Sequence, residues 1–210
     1  MITLYHGTST RNLDDIIKNG IKPRGEKESV WSDNDCPSRE DMVYLTNSYA
    51  PFFAQQSCLY EDGEYIDKPV VIEVSISDKQ ARKRLYPDED YLEQFTRDYP
   101  KDSINVVPKD YFSLDLADRT KFFRERLENY QGMWTYSLEG LGNVAFKGIV
   151  HPKFIKRCTI LDEDMILDYS DPVICTANQK IVGAKYHRVC SELIWSEPYS
   201  KKIMEVNNHA

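Results

Sequence analysis

No Cys-x-x-Cys pair occurs in this chain, although it holds five cysteines, at positions 36, 58, 158, 175 and 190. An odd, scattered set excludes a disulfide framework and fits reduced thiols in a reducing compartment. His187 and Cys190 have a metal-like spacing, but a zinc site needs a second pair beside them, so no metal is expected. No apolar run approaches the roughly 20 residues that cross a bilayer. Met1-Ile2-Thr3-Leu4 lacks the basic-then-apolar order of a secretory leader. The expectation is a cytoplasmic protein without membrane contact. Also missing are a GxGxxG after a strand, a GxSxG elbow, an HExxH helix and a P-loop, which leaves the common nucleotide-fold and hydrolase motifs without support. Repeats and low-complexity tracts are absent too.

Positive charge is in short supply. Lys and Arg total 27 against 34 Asp and Glu, a net charge of −7, which argues against a broad nucleic-acid-binding surface. Two basic clusters remain, Lys79-Arg82-Lys83-Arg84 and Arg119-Lys121-Arg124-Arg126. Their helical spacing reads as solvated helix faces. Tyrosine is plentiful, 14 residues, and implies many half-buried rings with polar tips. A length of 210 residues suits a single domain with its own core.

The chain order is strand, helix, strand, helix, strand, then a helical insert at about 78–130, then more strands. Ile2 to Tyr5 is a short strand. Ser9 or Thr10 is expected to cap a helix with Asp14 and Asp15 in its first turn, Leu13, Ile16 and Ile17 as its buried stripe, and Gly20 just past its end. Arg24 to Asp41 is a polar loop, and Met42–Thr46 is a strand. Asn47 or Ser48 is expected to cap the next helix, with Pro51 in its first turn. Pro69–Ile76 is the clearest strand, rich in β-branched residues. "NVAFKGIV" and "RCTIL" read as late strands, and "PVICTANQKIVGAKYHRV" as a hairpin. Strands cluster instead of alternating with helices, so the fold class is α+β.

Three short segments in order carry the chemistry. "LYHGTS" ends the first strand, "VYLTNSYAPFFA" joins the second strand to its helix, and "LGNVAFKGIVHPKFI" spans a late strand and its exit. Together they resemble the ADP-ribosyltransferase superfamily, in its His-Tyr-Glu branch. The resemblance implies two small packed antiparallel sheets forming a cleft for NAD, which is substrate rather than resident cofactor. It implies that His6, Gly7 and Thr8 meet NAD. His6 would hydrogen-bond the adenosine ribose and the Gly7 backbone the nicotinamide carboxamide. Tyr44 would stack on the nicotinamide ring, and Ser48 and Tyr49 would line its pocket. Arg24, on the loop after the first helix, reads either as an exposed loop arginine or as a contact to an NAD phosphate.

Cleaving the glycosidic bond builds positive charge on the ribose, which a carboxylate beside it stabilises. The family's glutamate position, just before "VAF", is Asn143 here, which offers ribose a dipole but no charge. Glu139 is the nearest acid, in a segment with Gly140 and Gly142 that is expected to swing it into place. The resemblance thus implies an intracellular mono-ADP-ribosyltransferase, with Glu139, Tyr44 and His6 as catalytic residues. Its acceptor would be nucleic acid or protein, its setting a toxin or phage-defence effector, and a neutralising antitoxin a further partner. The alternative is a catalytically inactive module that binds NAD or ADP-ribose.

Overall fold

The computed structural model describes residues 1–25, 38–92 and 110–161, apart from 116, 117, 119, 120, 123 and 124. The hairpin read at 172–189 and the His187–Cys190 pair lie outside the described residues. So does the whole 93–109 stretch of the helical insert.

Six strands form one antiparallel sheet: β1 (Ile2–Ser9), β2 (Met42–Thr46), β5 (Pro69–Ile76), β6 (Leu85–Pro87), β7 (Asn143–Lys147) and β8 (Ile155–Ile160). Their spatial order is β6-β7-β2-β1-β5-β8. A separate hairpin joins β3 (Tyr60–Glu61) to β4 (Glu64–Tyr65). Among the described residues the sheet is accompanied by helices α1 (Thr10–Asn19), α2 (Ala50–Gln56), α3 (Asp78–Arg84) and α4 (Trp134–Gly140). The architecture is α+β, with helices packed on an antiparallel sheet.

The centre of the sheet is almost unzipped. β1 pairs with β5 along its whole length, from Ile2 opposite Ile76 to Ser9 opposite Pro69. It meets β2 at one register position, Tyr5 opposite Thr46. β2 in turn pairs with β7 from Met42 opposite Lys147 to Thr46 opposite Asn143. In place of the two small packed sheets that the resemblance implies, the described residues form one six-stranded sheet, whose β6-β7-β2 and β1-β5-β8 halves share a single rung, and the separate two-stranded hairpin.

β5 runs down the middle of its half, and Val70, Val71, Ile72 and Val74 are all fully buried. Burial on both faces explains why its apolar run is nearly continuous rather than alternating. Leu4, Leu45, Ile72 and Ile76 join the α1 stripe of Leu13, Ile16 and Ile17 in the main core. On the opposite face Tyr5 and Val71 pack against Ala50 and Ala54 of α2.

Several local expectations are corrected. α1 begins at Thr10, so Asp14 and Asp15 fall in its second turn. Ser9 is the cap position but makes no capping hydrogen bond, because it is still the last rung of β1. The Thr10 hydroxyl instead accepts from the Lys68 backbone at 3.1 Å, tying the helix start to the neighbouring strand. Neither Asn47 nor Ser48 caps α2. Tyr49 holds the cap position and no side chain caps the helix; the Thr46 hydroxyl instead fixes the turn before it, accepting from the backbones of Ser48 at 3.0 Å and Tyr49 at 2.9 Å. Gly20 ends α1 at φ 85°, and Pro51 lies in the first turn of α2, both as expected. The insert is not wholly helical, because β6 leaves α3 and pairs with β7 at the edge of the sheet.

Candidate functional site

Three of the sequence motifs meet at the unzipped rung. Past Tyr5, β1 parts from β2, and the His6 ring spans the gap in place of a ladder bond. Its Nδ1 lies 3.0 Å from the Tyr44 carbonyl oxygen. Burial pushes the His6 pKa down, against the pull of that carbonyl. A neutral ring facing a carbonyl must donate from Nδ1, which leaves Nε2 as an acceptor.

His6 reaches Tyr44 through its backbone rather than its ring. Strand alternation puts His6 on the face of Leu4, whereas Tyr44 shares the opposite face with Thr46 and Tyr5. The two rings therefore do not point from one face of the sheet.

Tyr44 is held from both sides. Its hydroxyl accepts from the Arg39 backbone at 2.8 Å and donates to Glu89 Oε2 at 2.8 Å. Burial, and after it the charges of Glu89 and Asp88, raise the Tyr44 pKa far above the usual phenol range. It therefore stays a neutral hydrogen-bond donor. The Arg39 guanidinium grips Asp41 through two contacts, at 2.9 and 3.0 Å.

Asp88 and Glu89 follow β6 directly and are 7% and 3% exposed. Burial raises both carboxyls above the ordinary range. For Asp88 the charges of Asp90 and Glu89 add to the rise; for Glu89 the Tyr44 hydrogen bond opposes it. Glu89 Oε1 is buried and has no hydrogen-bond partner among the described residues. Such an orphan acceptor costs about 1–3 kcal/mol. Sequence reading missed this pair. "PDED" has the look of a solvated helix start. The signal was the apolar Leu85-Tyr86 immediately before it, which carries the first two acids inward with the strand.

Ser137 of α4, fully buried, links the acids to Asn143. Its hydroxyl accepts from the Asp88 backbone at 3.0 Å and donates to the Asn143 carbonyl at 2.7 Å. Asn143 opens β7 opposite Thr46, and its Oδ1 is buried without a partner among the described residues. Beside it Gly142 has φ 82°, and the Tyr49 ring packs on its α-carbon.

The other expected residues fall as follows. Gly7 is pressed against α2, where an added Cβ would overlap the Ala50 carbonyl oxygen and the Ala54 nitrogen. Thr8 is buried and accepts from Asn12 at 3.3 Å. The buried Ser48 donates to Asn47 at 2.5 Å. Glu139 is not on a glycine-hinged loop. It sits exposed in the last turn of α4. Arg24 uses its guanidinium to hold the Ser38 carbonyl, at 2.8 and 3.1 Å. Among the described residues no cluster of His, Cys, Asp and Glu could hold a metal ion, and no helix is long and apolar enough to cross a membrane.

The buried acids make a sign-definite prediction. Unfolded, they ionise near pH 4; folded, they ionise higher. Their stabilising contribution is full below about pH 4 and is lost as pH rises through the folded values, at up to ~1.4 kcal/mol per pH unit for each retained proton. His6 acts in the other direction, since its lowered pKa favours folding above about pH 6.5. Asp88→Asn should flatten the acid-pair share of the slope in unfolding measured between about pH 4 and 6. A slope identical to wild type would mean that Asp88 titrates alike in both states.

No protein-family model matches the chain, and no curated protein matches it.

Proposed function

We propose that this chain is a mono-ADP-ribosyltransferase that cleaves NAD and passes ADP-ribose to a macromolecular acceptor. The observation that supports the reading is that the three motifs border one opening in the sheet, with the His6 ring on one face and Tyr44 on the other. His6 bridges from β1 to the Tyr44 carbonyl, and Thr46 at the end of β2 faces Asn143 at the start of β7. In this reading NAD enters where β1 and β2 part. His6 Nε2 accepts a ribose hydroxyl, and Asn143 and Tyr49 receive the nicotinamide end.

The carboxylate of the reaction is Glu89 in preference to Glu139. Glu89 is buried and bonded to Tyr44, and its free oxygen lacks a donor; Glu139 is exposed on α4. Donors of a bound ribose would satisfy Glu89 Oε1 and favour its ionised form. Ionised, it offsets the positive charge that develops as nicotinamide leaves.

The decisive experiment incubates the protein with labelled NAD and cell extract, then resolves protein from nucleic acid. Nicotinamide release with a labelled acceptor supports the transferase. Saturable NAD binding without release points to the inactive module, which Asn143 favours. Tyr44→Ala should weaken NAD by ~0.5–1.5 kcal/mol beyond the lost area if its ring stacks on nicotinamide. Thermal-shift titration reads this directly, because a ligand's stabilisation rises with the logarithm of its affinity. Equal shifts for wild type and Tyr44→Ala would remove Tyr44 from the site.

A further inference from the structure

The hairpin β3–β4 stands apart from the main sheet, and every residue from Leu59 to Ile66 is exposed. Leu59, Tyr60, Tyr65 and Ile66 are 42%, 61%, 47% and 58% exposed, an unusual concentration of large apolar side chains on one short projection. The projection is nonetheless well held. Asp62 and Gly63 take φ values of 52° and 90°, the left-handed pair of a tight two-residue turn. The Asp67 carboxylate accepts from the Leu59 backbone at 2.8 Å, and Gln55 of α2 donates to the Tyr65 hydroxyl at 3.2 Å. The Tyr60 and Tyr65 rings meet edge to face at 5.0 Å.

Its charges do not balance. Glu61 lies directly opposite Glu64, and Asp62 sits in the turn between them. Like charges directly across a strand pair destabilise it. Among the described residues no cation pairs with these three carboxylates. Alternation places Leu59 and Ile66 on the same face as Glu61 and Glu64, two residues apart along each strand. That face therefore shows an apolar pair followed by an acidic pair, next to open backbone edges.

We propose that this hairpin is a docking site for a basic segment of a partner protein, lying extended, with an apolar residue two positions from a Lys or Arg. The charge pattern selects this occupant: a cation relieves the Glu61–Glu64 repulsion, whereas a phosphate backbone would worsen it. Open strand edges accept an extended segment by main-chain pairing. The proposal is independent of any NAD chemistry.

The test uses the whole chain and a fluorescent nine-residue peptide in which leucine and lysine alternate at every second position, with serine between. Wild type should bind it, more weakly as salt rises. The pair Glu61→Lys and Glu64→Lys should weaken binding by at least about tenfold, since juxtaposed like charges are costly at an interface. Reversing Asp118 and Glu125, exposed acids elsewhere, should leave affinity unchanged. Circular dichroism checks that each variant is folded. Equal binding by all proteins overturns the proposal, as does tighter capture of a single-stranded oligonucleotide by the hairpin. A dimer in light scattering that Tyr60→Ser abolishes would give the surface to a second copy instead. Tyr60 and Tyr65 resisting nitration in the free chain would show that the chain covers the hairpin itself, and the proposal falls.

Discussion

Glu89→Gln is expected to lower nicotinamide release by on the order of 10²–10³, the usual consequence of removing one preorganised electrostatic partner of a developing charge. The substitution keeps the shape of the side chain and the contact with the Tyr44 hydroxyl, so the fold and NAD affinity should stay near wild type. The predicted pH profile is just as specific. Burial holds the Glu89 carboxyl above its ordinary range, and the reaction needs it ionised. Release should therefore rise with pH, with an acid limb above the ~4.3 of a free glutamate. Tyr44→Phe removes the hydrogen bond that holds Glu89 down and should move that limb higher still. Glu139→Gln should turn over normally. If instead Glu139→Gln abolishes release and Glu89→Gln does not, the helix-end acid is the carboxylate and the buried pair is structural.

The sequence made β5 legible to the residue, because a buried central strand leaves a continuous β-branched run that little else produces. Gly20 and Pro51 were legible for a similar reason: each has few places in a helix where its backbone fits. The caps were not. Ser9 and Thr46 are both strand residues whose neighbours decide what their hydroxyls do, and local sequence does not carry that information. Glu89 was hidden more deeply. Its role depends on β6, three residues long, pairing with β7 nearly sixty residues later and so turning an acidic run inward. A charge run defaults to solvent in any local reading, and only the pairing overrides it. Gly7 was legible as a glycine needed for a close approach, but the approaching group was expected to be nicotinamide. In the fold the backbone of α2 also comes close to Gly7.

That difference gives the last prediction. Gly7→Ala should destabilise the protein with no ligand present, by about 1–3 kcal/mol as overpacking usually does. The new Cβ would overlap the Ala50 carbonyl oxygen, the Ala54 nitrogen and the Phe53 carbonyl carbon. All three are backbone atoms, so no side chain can turn aside, and α2 must lift from β1. Strain in the backbone of residue 7 is not the cause, since Gly7 does not lie in the left-handed region. Replacing a glycine also stiffens the unfolded chain, which on its own would stabilise by about 0.4–1 kcal/mol. The overlap must exceed that gain for the sign to hold. Gly132→Ala is the matched control: nothing lies within 4 Å of its added Cβ, so only the unfolded-state gain remains and stability should be unchanged or slightly higher. Urea unfolding followed by circular dichroism separates the two. The lifted helix also directly follows Tyr49, whose ring covers Gly142 next to Asn143. Gly7→Ala should accordingly weaken NAD binding even at temperatures where the variant is fully folded. If Gly7→Ala is as stable as wild type but no longer binds NAD, the glycine is there for the ligand and the packing against α2 has slack. If it loses both, the close packing of β1 on α2 is what sets the opening.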